Sequence, residues 1–136
     1  MDTESTRALV KRFLDARAAN DADTISSLLA DDATWQPPPS MGIGPFTGRD
    51  TVTKALTGGA VGRIFDLSTL KREVHKLIVE GDTAVALQKL TATTTKGVPY
   101  ENDYVWVYTC ADGKIARLDE HADSFKAAKI FGMVKS

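Results

Sequence analysis

From Leu70 onward the chain alternates in polarity instead of cycling, and this constrains its 136 residues more than any other feature. Residues 71–79, 83–95, 100–110 and 114–122 read as four strands. Gly81-Asp82, Lys96-Gly97 and Asp112-Gly113 fall between them as hairpin signals, because these pairs tolerate the positive φ angles of a tight turn. The run Thr91 to Thr95 is β-branched apart from Ala92, which suits a pleated strand and resists a helix. Four successive hairpin-linked strands make an antiparallel meander, and strands this long must twist and curl.

The first half has helical periodicity. Over residues 3–19, Leu9, Phe13 and Ala16 recur on one face, with Val10 and Leu14 widening the stripe. Asp21 caps a second helix over 22–30 that buries Ile25, Leu28 and Leu29. A short strand over 33–36 is stopped by Pro37, Pro38 and Pro39, which lack the amide hydrogen a ladder needs. The Gly- and Pro-rich stretch 40–48 is irregular and is expected to lie across an opening. A third helix starts at Thr47 or Asp50 and runs to about Leu56, ahead of Gly58-Gly59. Ser124 caps a last helix that ends at Gly132. Helices followed by a meander predict a single α+β domain over 1–136: a cone-shaped, curved antiparallel sheet, N-terminal helices on its concave face and a short C-terminal helix. Such a cone is a natural small-molecule pocket.

Composition narrows the function. A net charge of -1 argues against a nucleic-acid surface, which needs clustered cations to displace counterions. The scattered Arg7, Lys11, Arg12, Arg17, Arg63, Lys71 and Arg72 read as solvated faces. One cysteine, Cys110, and two histidines offer neither an internal disulfide nor a zinc site, and Cys110 reads as core filler. The N-terminus carries Asp2 and Glu4 without an apolar leader, and no window approaches a membrane span, so a cytoplasmic protein with no membrane partner is expected.

Four motifs, ADDATWQ, FTGRDTV, VEGDTAVAL and DGKIARLDEHADS, occur in an order that resembles the SnoaL-like branch of the nuclear-transport-factor-two-like, or cystatin-like, superfamily. That superfamily includes ketosteroid isomerases, limonene-epoxide hydrolases and polyketide cyclases, as well as binding and association modules. For steroid isomerisation, the resemblance assigns the base to Pro37 and the oxyanion donors to Phe13 and a position near Val105. None of these side chains moves a proton or donates to an enolate. Epoxide hydrolysis in this fold resembles an Arg and an Asp on one strand with a second carboxylate; the matching positions are Gln88, Leu90 and Glu120, of which only Glu120 is retained. Both chemistries are disfavoured. The polyketide-cyclase pattern needs a single acid/base, and the matching position is again Glu120.

Glu120 is therefore the candidate catalytic group, its pKa expected to rise by burial among Leu118, Val105 and Val107. A rim glutamate paired with Lys or Arg is the competing reading. Asp103 shares strand parity with the valines and is a second catalytic candidate if it faces the cone. Phe13, Trp35, Gln88, Val105 and Leu118 are the expected substrate-binding residues, with Trp35 at the pocket mouth. His121 is expected on the outer face, and His75 has ambiguous parity. Asn102, Tyr104, Trp106 and Tyr108 form an aromatic face that reads as a homodimer interface. The overall expectation is a protein that binds a small apolar molecule, either as an isomerase, cyclase or lyase without cofactor or metal, or as a ligand-binding or dimerisation module without chemistry.

Overall fold

Strand pairing dominates the computed structural model, which describes residues 1–134. Its elements are α1 (Thr3–Ala18), α2 (Ala22–Leu28), β1 (Leu29–Gln36), β2 (Phe46–Thr47), α3 (Arg49–Thr57), α4 (Gly59–Ile64), β3 (Lys71–Glu80), β4 (Thr83–Thr93), β5 (Pro99–Ala111), β6 (Lys114–Ala122) and α5 (Ser124–Ile130). The sheet order is β2-β1-β6-β5-β4-β3. Strands β3 to β6 form the expected antiparallel meander, while β1 lies parallel to β6, so the curved, unclosed sheet is mixed. The helices pack on one side of it, giving the α+β architecture that the sequence predicts.

Local chemistry sets the boundaries. Asp2 and Asp21 cap α1 and α2 by accepting the amides of Ser5 and Thr24. The second helix stops at Leu28, two residues before its expected end, and the chain enters β1 at Leu29, four residues before the expected strand. At the last helix the cap is Asp123, whose carboxylate accepts the Lys126 amide, and not Ser124. The interval after Gly58, to which the sequence reading gave no element, folds as α4. Asp112 (φ 52) and Gly113 (φ 77) both take positive φ, the geometry of a tight two-residue hairpin, and turn β5 into β6.

The core lies between α1, α2, α3 and the inner sheet face. Val10, Phe13, Ile25, Leu29, Val52, Ile115 and Leu118 are each 0% exposed, and each such side chain contributes about 1.5–3 kcal/mol of burial. Phe13 meets Tyr108 edge-on at 5.7 Å.

Which sheet face is inside follows from β4 and β5 together. Ala84 and Ala86 on β4 stand beside Tyr108 and Trp106 on β5, and Ala92 stands beside Tyr100. Small side chains on one strand make room for rings on the next, and this row is buried. The aromatic row Tyr104, Trp106 and Tyr108, with Asn102, is thus the concave interior and not an exposed interface. Val105 (37% exposed) and Asp103 point the other way, to the outer face. His121, paired with Val105, is exposed there too, and His75 sits exposed at the bulge between Val74 and Lys76. Cys110 is buried in the inner row, and burial pushes its thiol up to about 11.

Candidate functional site

A hollow opens between the inner sheet face and the segments that cross its end. It encloses about 70 Å³, or about 730 Å³ with the space at its open mouth. Strand residues Trp35, Arg72, Gln88, Leu90, Tyr104, Trp106 and Glu120 form one wall. Ala60, Val61, Ile64 and Phe65 close it from α4 and its end, and Ala127 and Phe131 from α5. Pro37, Pro38, Met41 and Ile43 complete the rim, so the proline-rich loop does border the opening. Gly44 fits this loop because of its close approach: a Cβ there would stand 2.9 Å from Cδ of Pro37. The Ser40 hydroxyl, 3.3 Å from that of Ser124, ties the same loop to α5.

Glu120 is the single carboxyl on the hollow among the described residues. Strand β6 lies between β1 and β5, so Glu120 has Trp35 on one side and Trp106 directly opposite on the other. The Trp35 indole N–H donates to Oε1 at 3.0 Å. The rings of Phe46, Trp35, Trp106 and Tyr108 stack in sequence, with neighbouring centroids 5.0, 6.1 and 6.2 Å apart. Loss of hydration among these rings raises the Glu120 carboxyl to about 7, against the smaller opposing pull of the Trp35 hydrogen bond and the charges of Arg17 and Arg72. At neutral pH it can therefore give or take a proton. Its partners are the tryptophans and not Val105 and Val107, because Glu120 shares the inner face with Leu118, whereas the valines project outward.

Two cations accompany it. Arg17 is 5% exposed and its guanidinium lies 5.3 Å from the Trp106 ring centroid, a cation–π contact. Arg72 is partly buried and lines the hollow from β3, its neighbour on β4 being Leu90. Burial lowers both guanidinium pKa values, and for Arg72 the charge of Arg17 is the second cause. Both remain cations at neutral pH. The expectation that these two are solvated is corrected here. Arg17 follows Phe13 by four residues and Val10 by seven, which puts it on the buried stripe of α1; that spacing was the available signal.

A buried hydroxyl chain adds to the polar wall. The Asn102 amide donates to the Tyr100 oxygen at 2.8 Å and to the Asp123 carbonyl at 3.0 Å, and the Tyr100 and Tyr104 hydroxyls lie 2.6 Å apart. Burial pushes the Tyr104 phenol far above its usual range, so it is a neutral hydroxyl at the wall. The Gln88 amide reaches the Tyr108 hydroxyl at 3.5 Å.

Of the residues proposed from sequence, Glu120, Trp35 and Gln88 meet at this hollow. Phe13 is in the core beneath Tyr108, and Leu118 is fully buried one pleat before Glu120; neither borders the hollow. Val105 and Asp103 are on the opposite face, so Asp103 does not face the cone and is no partner of Glu120: odd-numbered residues of β5 point away from the helices. Arg17, Arg72, Tyr104 and Trp106 were missed as site residues.

Residues 10–118 match the family model described as a SnoaL-like domain. No curated protein matches the chain in sequence. Among solved structures, it is similar to an NTF2-like protein of unknown function from Burkholderia pseudomallei K96243, with 20% identity and a TM-score of 0.82 over 93% of this chain and 97% of that one. Bal32a, from a soil-derived mobile gene cassette, is 21% identical with a TM-score of 0.83, covering 96% of this chain and 99% of its own. TerC, co-crystallised with polyporic acid, is 19% identical with a TM-score of 0.81, covering 94% and 98%. Likeness at these identities shows a shared fold.

Proposed function

Because this chain belongs to the SnoaL-like family, we propose that it binds a small hydrophobic molecule in the hollow and transfers one proton on it, with Glu120 as acid and base. The observation that carries this reading is the Glu120 carboxyl itself. It borders an otherwise largely apolar hollow, is oriented by the Trp35 N–H at 3.0 Å, and is raised to about 7 by burial. A group so poised removes a proton from carbon or hydroxyl and returns it elsewhere, which suits isomerisation, ring closure or elimination without a cofactor. Charge that develops on a ligand oxygen would meet the Tyr104 hydroxyl at the wall. Pro37 and Leu90 also border the hollow and carry no proton, in keeping with chemistry that rests on a single carboxyl. The crystallisation of TerC with polyporic acid is one instance of this fold meeting a small organic molecule.

The test uses 2-tetralone, an apolar ketone with exchangeable α-protons, in deuterated buffer, with α-deuteration followed by NMR. The native chain is expected to accelerate exchange, and Glu120→Gln to lose about a hundredfold of that rate. Equal rates in the two proteins would remove Glu120 from the chemistry. Binding of the ketone with no exchange in either protein would assign the hollow to ligand binding alone.

We also infer that the outer sheet face meets a second copy of the chain. Ile78, Val85, Leu87, Val105 and Val107 lie there together, with Ile78 47% and Val105 37% exposed. The surrounding charges have both signs, including the Lys89–Glu101 pair at 2.9 Å, Asp103 and the Arg117–Asp119 pair at 2.9 Å. An apolar centre with a mixed rim suits self-association.

A further inference from the structure

Four ion pairs join the described residues, and none involves Arg17 or Arg72: they are Arg7–Glu4, Arg49–Asp31, Lys89–Glu101 and Arg117–Asp119. No carboxylate oxygen of the described residues thus comes within 4.0 Å of either guanidinium. This is unusual for a cation as enclosed as Arg17, since buried charges are ordinarily paired. The charge of Arg17 also opposes that of Arg72. Glu120 is the carboxyl whose charge acts on both arginines, and it holds a single negative charge at most, shared with the Trp35 N–H.

A second hollow, of about 200 Å³, is bordered by Leu14, Ala18, Val74 and Tyr108 together with both arginines. Arg17, Arg72 and Gln88 border both spaces. Asp15, the acidic residue at the second hollow, is exposed and forms no ion pair within 4.0 Å. Both arginines therefore border two cavities and have no carboxylate partner among the described residues.

We propose that Arg17 and Arg72 are a carboxylate-binding subsite, and that the natural ligand is an apolar acid whose anionic head sits between the two guanidiniums while its body lies along Trp35, Trp106 and Leu90. This rests on the hollow being the ligand site proposed above. Two guanidiniums leave at least one positive charge uncompensated even when Glu120 is ionised, which fits an anionic ligand. Guanidinium offers paired N–H donors that match the two oxygens of a carboxylate. The adjoining Trp106 face and Gln88 amide complete a setting that is apolar on one side and hydrogen-bonding on the other. Anchoring the acid there would leave the body of the ligand beside the Glu120 carboxyl, where proton transfer takes place.

The probes are 2-naphthoate and its neutral counterpart 2-naphthamide, compared by isothermal titration calorimetry. The native chain is expected to bind the acid about 10- to 100-fold more tightly than the amide, the range for a charge-assisted hydrogen-bonded contact. Arg17→Met and Arg72→Met are each expected to cut that ratio, and the double variant to abolish it while the amide's affinity is kept. Glu120→Gln is expected to keep the preference, which separates this subsite from the proton-transfer role. Equal affinity for acid and amide in the native chain would overturn the proposal, and that measurement needs no variant to fold. A preference that survives loss of both arginines would overturn it as well, as would failure of both probes to bind. Loss of deuterium exchange in Glu120→Gln bears only on the catalytic reading, so the two can fail separately.

Discussion

A carboxyl flanked by two tryptophans loses most of its hydration, and Glu120 titrates accordingly. Its value of about 7 in the fold lies above the ordinary 4.5, so the folded chain holds this proton more tightly than the unfolded chain does. As pH rises from about 4.5 to about 7, the unfolded carboxyl ionises first and stability declines. The full decline from this one group is on the order of 3 kcal/mol. Glu120→Gln removes it while keeping an oxygen for the Trp35 N–H. The variant and the native chain are therefore expected to have similar urea midpoints near pH 4.5, with the variant the more stable above pH 7; midpoints measured across that range check this. A constant difference at all pH values would mean that Glu120 is not held in its neutral form. Glu120 was legible in the sequence because its motif position marks it. Its companions were less so, for a physical reason: an arginine reads as surface unless its place on the helical stripe is weighed above its charge, as Arg17 shows.

At the scale of elements, the hairpins were plain in the sequence because their turns carry residues that few other conformations require. Asp112-Gly113 places β6, and with it Glu120, opposite Trp106. Gly113 at φ 77 is in the left-handed region, where a β-branched side chain is strained. Gly113→Val is expected to destabilise the chain by about 1–2 kcal/mol, seen as a lower urea midpoint with an unchanged slope. The facing of β5 was harder to read. Its even positions carry Asn, Tyr, Trp and Tyr, its odd positions Asp, Val and Val, and either row alone can be taken for the interior. The neighbouring strand decides it, since the alanines at 84, 86 and 92 have room for rings beside them. Strand β1 was only half visible because Leu29 and Ala30 suit a helix by propensity, and its partner β6 is remote in sequence.

For the whole molecule, inverting the two rows of β5 moves the expected dimer contact from the aromatics to the valines. Charge placed at the centre of that patch should prevent association. Val105→Asp with Val107→Asp is expected to convert a dimer of the 14.7 kDa chain to a monomer in size-exclusion with light scattering. The hollow is on the other face of the sheet, so the deuterium-exchange rate should be preserved in that monomer. A native chain that elutes as a monomer at all concentrations would show that the valine patch remains solvated.

Arg17, Arg72 and Gln88, long side chains from α1, β3 and β4, border both hollows. A different rotamer of Arg17 or Arg72 would reshape both chambers without moving a single strand. The interior could then admit guests of quite different length on one unchanging frame, with reach governed by rotamers and not by refolding.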